Sequence, residues 1–288
     1  MDTVLRSRTK TVTIGSGQPF CIIGERINPT SRKKFSEELR EGNLDTVVVD
    51  TEAQVEAGAD MLDVNAGIPL VDEAELLSKM LTLIQETADL PICIDSSVIE
   101  ALEAGLGVYE GKALVNSVTG EDERLEEILP LVAKHGAAVI ALANDETGIP
   151  ETPQNRLEIA TKIVKVAGDY GIPPEDVVID PLAMTVGADT EAVTTTLEAI
   201  RLIRDNLGVN MCLGASNVSF GLPERHVLNA GFLPMAMAAG LTSAIMSTAP
   251  VCVDAVRAAD LLLGHDAWGA NWIAAHRARR QSEALGAA

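Results

Sequence analysis

Short, almost uninterrupted apolar runs alternate along this chain with longer stretches in which apolar residues recur at helical spacing. The runs are FCIIGERI (20–27), MLDVNAG (61–67), PICIDSS (91–97), KALVNSV (112–118), AAVIALAN (137–144), DVVIDPL (176–182), NMCLGASN (210–217) and TSAIMS (242–247). Such runs predict parallel strands covered on both faces. Between them, Leu125, Ile128, Leu129 and Val132 fall at i, i+3, i+4 and i+7 behind Glu121-Asp122-Glu123, an acidic start that suits a helix N-terminus. His135-Gly136 supplies the stop, with His135 read as a solvated helix end. Val193, Leu197, Ile200 and Ile203 mark a second helical stripe, and Tyr170-Gly171-Ile172-Pro173 closes a third helix.

Eight strand–helix units spaced about 32 residues apart predict an α/β protein, a single closed (β/α)8 TIM barrel. A doubly wound open sheet is the competing architecture. It usually carries a glycine-rich first turn, and the first strand here runs into Gly24-Glu25-Arg26-Ile27-Asn28-Pro29, which lacks GxGxxG. Residues 1–19 read as an N-terminal extension, with Thr9 to Pro19 folding as a hairpin around Gly15-Ser16-Gly17 to close the barrel floor. The barrel itself spans 20–265, and 266–288 reads as a C-terminal helix with a frayed Ala/Gly tail.

Composition narrows the function. The 288 residues fit one barrel of about 250 residues with small additions. A hydrophobic content of 47% supports a sizeable core. Lys plus Arg number 22 against 42 Asp plus Glu, for a net charge of −20. That balance disfavours nucleic acid, whose binding depends on basic residues displacing counterions. Two Trp, two Tyr and four Phe supply no platform for stacking bases. The N-terminus shows no apolar signal core, and the most apolar later stretch, Met235 to Val253, is broken by Gly240, Thr242, Ser243, Ser247, Thr248 and Pro250. A cytoplasmic location without a membrane span is the expectation. Cys21, Cys93, Cys212 and Cys252 are far apart with no CxxC pair, and are read as buried small hydrophobes.

Active sites of such barrels lie at the C-terminal ends of the strands. Those ends carry Glu25 and Asn28, Asp63 and Asn65, Asp95, Asn116, Asn144, Asp180, Asn217 and Ser247. Any one of them is explained equally well as a turn or cap residue. As a ring they suit a ligand, because carboxamides donate and accept while carboxylates accept only. A flat heterocycle with amide and amino edges, such as a pterin, fits that set, one carboxylate taking two N–H bonds from a guanidine-like edge. A sugar phosphate would call instead for a glycine-rich cradle or basic residues. His135, His226, His265 and His276 show no ligand spacing, so no metal is expected. Ser96, Ser97 and Ser216 read as loop supports, and no Ser/His/Asp arrangement is suggested.

FCIIGERINPTSRKKF (20–35) resembles the opening of the folate-binding barrel of cobalamin-dependent methionine synthase. GASNVSF (214–220) and LNAGFLPMAMAAGLTSAIMS (228–247) resemble its seventh and eighth strand regions. LDVNAG, CIDSS, LVNSV, NDETGIP and VIDPL are similar to motifs of the stand-alone relatives, the methyltetrahydrofolate–corrinoid protein methyltransferases. The resemblance runs in order over about residues 20–265 and is specific in combination. It implies a pterin edge held by Asp95, Asn116 and Asp180, and a catalytic hydrogen bond from Asn217 near the methyl-bearing N5. It places Arg225 near the folate, with Glu25, Asn28, Asp63 and Asn65 as further candidates for the same pocket. It implies tetrahydrofolate or 5-methyltetrahydrofolate as substrate, a corrinoid (cobalamin) carried by a partner protein, and a homodimer. The late segments FLPMAMAAG and VCVDAVRAADLLLG offer an interface, although core packing explains them equally well.

Dihydropteroate synthase shares the pterin-binding barrel. It differs in having a Lys in the seventh-strand motif where this chain has Asn217, and a Ser/Asp-rich first loop in place of ERINPT. Methionine synthase adds zinc and cobalamin modules for which this chain is too short. The expectation is therefore methyl transfer between N5 of tetrahydrofolate and the cobalt of a separate corrinoid protein. A dihydropteroate synthase-like condensation and a non-catalytic folate-binding subunit of a corrinoid complex stand as alternatives. Arg26, Lys33, Lys34 and Arg225 flank the expected pocket and offer a local positive rim to an anionic ligand.

Overall fold

Each of the eight apolar runs forms a strand, and the strands pair in parallel around one barrel. The computed structural model describes residues 1–277. An antiparallel hairpin comes first, β1 (Asp2–Arg6) with β2 (Thr11–Gly15). The barrel begins with β3 (Cys21–Ile27), followed by α1 (Lys33–Arg40) and α2 (Asp45–Glu56). Then come β4 (Met61–Asn65), α3 (Glu73–Thr87), β5 (Ile92–Asp95) and α4 (Ile99–Val108). Next are β6 (Leu114–Val118), α5 (Asp122–His135), β7 (Ala138–Leu142) and α6 (Pro153–Asp169). The circuit ends with β8 (Val177–Asp180), α7 (Ala192–Leu207), β9 (Cys212–Gly214), α8 (Arg225–Ala239), β10 (Ser243–Met246) and α9 (Pro250–Leu263). Residues 270–277 are helical. Of the C-terminal helix and tail expected over 266–288, residues 278–288 lie outside the described residues.

Local sequence sets the helix ends. Gly136 and Gly208 stand left-handed at the ends of α5 and α7, where a side chain would be strained. Thr152 accepts the Asn155 N–H at 3.2 Å and, with Pro153 behind it, starts α6. His135 departs from the reading of it as a solvated end: it is half-buried, and its Nε2 is shut off from solvent without a hydrogen-bond partner.

Strand order is β8-β7-β6-β5-β4-β3-β10-β9. The last seam, β8 against β9, is joined by a single parallel bridge between Ile179 and Met211, with the Ile179 N–H bonded to the Asn210 carbonyl at 2.9 Å. One set of strand residues packs against the helices, including Leu62, Val64, Ile92, Ile94, Val115, Val139 and Ile179. The alternate set faces the lumen: Cys21, Ile23, Met61, Cys93, Leu114, Ala138, Ile140, Val178 and Cys212. Several of these are small, and the hairpin completes the packing by inserting Leu5 and Ile14 among them. Asn210, nearly fully buried, fastens the hairpin by donating to Thr3 Oγ1 at 2.9 Å and to the Ile14 carbonyl at 2.8 Å. The hairpin thus plugs the floor, but its turn is Ser7–Lys10. Gly15-Ser16-Gly17, expected to make that turn, instead leads the chain from β2 toward β3, with the Gln18 N–H bonded to the Gly15 carbonyl. The strand pattern explains the shift, because VLR and TVTI alternate on either side of Ser7–Lys10, not around the glycines.

Leu5 is wholly buried beneath the lumen. Leu5→Ala should cost ~2–5 kcal/mol in urea unfolding, the range for a cavity that cannot collapse. A loss below about 1 kcal/mol would mean that the hairpin merely rests on the barrel.

Candidate active site

Lumen parity carries polar side chains to the C-terminal mouth. Two residues beyond Met61, Cys93, Leu114 and Val178 stand Asp63, Asp95, Asn116 and Asp180, and four beyond Cys21 stands Glu25. All five line a cavity of about 620 Å³, a size usual for a small-molecule site. Leu142 and Ile245 reach the same cavity by the same alternation and give it apolar wall, with Phe220 at its edge. Asn28 and Asn217 join from the segments after β3 and β9, and Arg225 from the first turn of α8. A smaller cavity of about 240 Å³ shares Asp95, Asn116 and Leu142 and extends to Ser96, Ser97, Ser117, Thr119 and Arg124.

Burial dominates the electrostatics. It pushes the Asp180 carboxyl up to about 6, although the N–H groups of Leu182 (2.7 Å) and Gly214 (3.3 Å) favour the ionised form. Asp95 is likewise raised to about 6 by burial, with Asn65 bonding to it and Glu73 adding repulsion. Asp63 is raised well above the carboxylate range, first by burial and then by Asp95, and accepts from Asn116 Nδ2 at 3.1 Å. Glu25 is raised by burial against a 3.0 Å bond from Ser216 Oγ. The wall thus combines acceptors with amide groups, a set that can meet a donor-rich heterocycle edge.

The Gly214–Asp180 bond spans the sparsely bridged seam between β8 and β9. Beyond Gly214 the chain enters the 3₁₀ turn Ala215–Ser219, which carries Asn217. A Cβ on Gly214 would lie 3.1 Å from Asn217 Nδ2, so the amide is packed directly above this glycine. Asn217, Gly214 and Asp180 therefore form one local unit.

Not every expected residue lines the cavity. Asn65 stands behind the wall, accepting the Gly67 N–H at 2.9 Å while bonding to Asp95. Ser247 accepts the Ala249 N–H ahead of α9, and Asn144 does not line the cavity. Arg225 faces the protein as well as the cavity. Its Nη2 donates to the Ser216 carbonyl at 2.8 Å, its Nε to Ser219 Oγ at 3.2 Å, and it lies 5.8 Å from the Phe220 ring centre. Arg26 and Arg32 are at the cavity with Asp50 as shared partner, whereas Lys33 and Lys34 do not line it. Among the described residues no group of three or more His, Cys, Asp or Glu is arranged to hold a metal ion.

Sequence reading missed Arg32 and Arg156. Arg156, buried on α6, donates to the carbonyls of Pro181 (2.8 Å) and Leu182 (2.7 Å) and sets positive charge near Asp180. It lies 14 residues beyond the end of β7, on α6, so no local signal marks it. Leu142 and Ile245 were findable, because period-two counting from Ala138 and Ser243 reaches them.

The sequence profile of the pterin-binding enzyme family matches residues 24–247. Over 252 residues the chain is 34% identical to the methylcorrinoid:tetrahydrofolate methyltransferase of Eubacterium limosum, covering 85% of this chain and 92% of that protein. It is also 34% identical over 243 residues to the methionine synthase of Mycobacterium tuberculosis (strain ATCC 25618 / H37Rv), covering 80% of this chain but only 20% of that larger protein. Solved structures similar in fold include the Yersinia pestis DHPS with a pterine-sulfa conjugate, with a TM-score of 0.68, 14% identity, and coverage of 91% of this chain and 99% of that one. The 7,8-dihydropteroate synthase from Vibrio fischeri ES114 also has a TM-score of 0.68, with 16% identity over 91% of this chain and 98% of that one.

The raised Asp180 pKa carries a stability consequence. A carboxyl at about 6 in the fold and near 3.8 unfolded favours the fold fully below the lower value. That contribution is lost as pH rises through about 6. Relative to the parent, Asp180→Asn should therefore gain up to about 3 kcal/mol between pH 4 and pH 8. Parallel stability–pH curves for the two proteins would remove the buried-charge assignment.

Proposed function

The chain belongs to the pterin-binding enzyme family, and from that premise we propose that it is a methyltransferase working between N5 of tetrahydrofolate and the cobalt of a corrinoid on a separate protein. The observation that carries this reading is Asn217: a neutral amide packed on Gly214 beside Asp180, in a cavity with no lysine among its lining residues. The 34% identity to a methylcorrinoid:tetrahydrofolate methyltransferase over most of both chains supports it.

In this reading Asp95, Asn116 and Asp180 take the donor-rich edge of the pterin, and Leu142 and Ile245 border its faces. Methyl transfer to cobalt breaks the N5–CH3 bond and leaves its electron pair on N5. The leaving amine is poor unless N5 gains a proton or a strong hydrogen bond. Asn217 supplies an N–H whose bond strengthens as charge develops at N5, the proton arriving through water. In the opposite direction the cobalt-bound methyl is attacked by the N5 lone pair, and the same amide orients that nitrogen. Corrinoid chemistry is brought by the partner, and this chain holds and orients the folate. Exposed Leu70, Ile149 and Phe220, on loops after β4, β7 and β9, give the mouth apolar contacts for a bulky partner.

A second copy is the occupant proposed for the outer face of α8 and α9. Val227 and Met235 are exposed there on α8, Val251 and Leu262 on α9, and no charged residue falls between Val227 and Gly240. No helix among the described residues is long and apolar enough to cross a membrane, and a cytoplasmic location remains part of this proposal.

Substitutions at three positions test these readings. Asn217→Ala should lower methyl transfer from methyltetrahydrofolate to a reduced corrinoid about 10²–10³-fold, as for a lost transition-state donor, with folate affinity nearly kept. Asp95→Ala should instead weaken folate binding in calorimetry. A parent protein that binds folate but exchanges no methyl would sink the enzymatic reading, and condensation of p-aminobenzoate with a pterin pyrophosphate would replace it. For the dimer, light scattering should give twice the chain mass, and Met235→Glu should halve it without unfolding the barrel. A parent monomeric at micromolar concentration rules the interface out.

A further inference from the structure

The turn that carries Asn217 is held by one buried amide. Ser216 and Ser219, nearly or fully buried, face α8, where Asn229 is also buried. Asn229 uses both ends of its carboxamide: Nδ2 donates to Ser216 Oγ at 3.1 Å, and Oδ1 accepts from Ser219 Oγ at 2.7 Å. Ser216 in turn donates to Glu25 Oε1 at 3.0 Å, and Ser219 accepts from Arg225 Nε at 3.2 Å.

The donors and distances give this chain a polarity. An amide N–H only donates, so Ser216 Oγ accepts from Asn229 Nδ2 and turns its single hydroxyl proton to Glu25 Oε1. Arg225 only donates, so Ser219 accepts from it and turns its own proton to Asn229 Oδ1 at 2.7 Å, with the Ser216 carbonyl a longer acceptor at 3.2 Å. Five groups thus run in one direction, from a guanidinium on α8 to the Glu25 carboxyl in the cavity, each bond polarising the next. A reversed amide would draw the Ser216 proton to Oδ1 and leave Glu25 Oε1 without it. Asn217 sits between the two serines that this amide grips.

We infer that Asn229 is the positioning residue of the active site, holding the 3₁₀ turn so that Asn217 stands over Gly214 at the cavity wall. It touches no part of the cavity itself. The inference rests on the methyl-transfer reading for its kinetic consequence, though not for its structural one. Displacement of a reacting donor by about 1 Å can cost about 10²-fold in rate, whereas the pterin edge is held by other strands.

The test uses the full chain with Asn229→Ala and, as a milder change, Ser219→Ala. Both should bind methyltetrahydrofolate within about threefold of the parent, because Asp95, Asn116 and Asp180 are untouched, while kcat falls about 10- to 100-fold. Hydrogen exchange should accelerate in 214–220 and stay unchanged in β4 and β5. A fall in kcat matched by equal loss of folate affinity and faster exchange throughout the barrel would reduce Asn229 to ordinary packing and overturn the inference. Unchanged kcat with unchanged exchange in 214–220 would overturn it too. Should the parent transfer no methyl at all, the functional reading fails alone: accelerated exchange confined to 214–220 then still upholds Asn229 as the clamp, and unchanged exchange removes it.

Discussion

A strand in a closed barrel shows the lumen only every second residue, and the rest of this structure depends on that constraint. Going up each strand, the lumen set passes from apolar to polar within one or two steps: Met61 to Asp63, Cys93 to Asp95, Leu114 to Asn116, Val178 to Asp180. The lower layer is built from residues as small as Ala138 and three cysteines, so it cannot fill the barrel alone. Leu5 and Ile14 of the hairpin complete it from below. Floor and active site are two ends of one packing problem, solved by the same alternation.

Placing carboxylates on that alternation has a cost that the surroundings partly offset. Each acid in the wall is pushed upward by burial, and each has a partner that resists: Leu182 and Gly214 for Asp180, Asn65 for Asp95, Asn116 for Asp63, Ser216 for Glu25. The Gly214–Asp180 bond also works for the fold. It crosses the seam between β8 and β9, where one bridge is all the ladder provides. Nearby, Arg156 pins the loop that follows β8. The same side chain can therefore serve ligand binding and barrel closure, which ties the integrity of the mouth to the ionisation of its wall.

The barrel was legible because its strands are buried on both faces and read as continuous apolar runs, and the helices betrayed themselves by stripes such as Leu125–Ile128–Leu129–Val132. The hairpin was half legible. Its existence followed from β-prone residues, but the glycines around Ser16 drew the turn to the wrong place, since a turn can form at Ser7–Lys10 without glycine. Among the residues lining the cavity, those at strand ends were visible because strand parity is a local property. The residues that hold them were not. Arg156 and Asn229 act from helices across the chain, and their meaning arises only when α6 and α8 pack onto the loops beside them. Ser247 and Asn65 show the opposite limit, since polar residues at strand ends also make the local turns that begin the next element.

The choice of an amide at position 217 follows from the company it keeps. Asp180 lies against the backbone of Gly214, and Asp63, Asp95 and Glu25 share the cavity. A lysine in this place would be held as a cation by those acids, and in the proposed reaction its proton would bias N5 toward one state. A further carboxylate would add repulsion to groups already raised by burial. An amide does neither. It keeps the same donor at every pH at which the barrel is folded, so its contribution depends on where it points more than on how it titrates. For the proposed methyl transfer, in which N5 would serve as leaving group in one direction and nucleophile in the other, a fixed and neutral donor suits both. The demand then passes from chemistry to geometry: orientation must come from the scaffold, and the side chains that grip this turn include its two buried serines, Glu25, and the α8 amide and guanidinium.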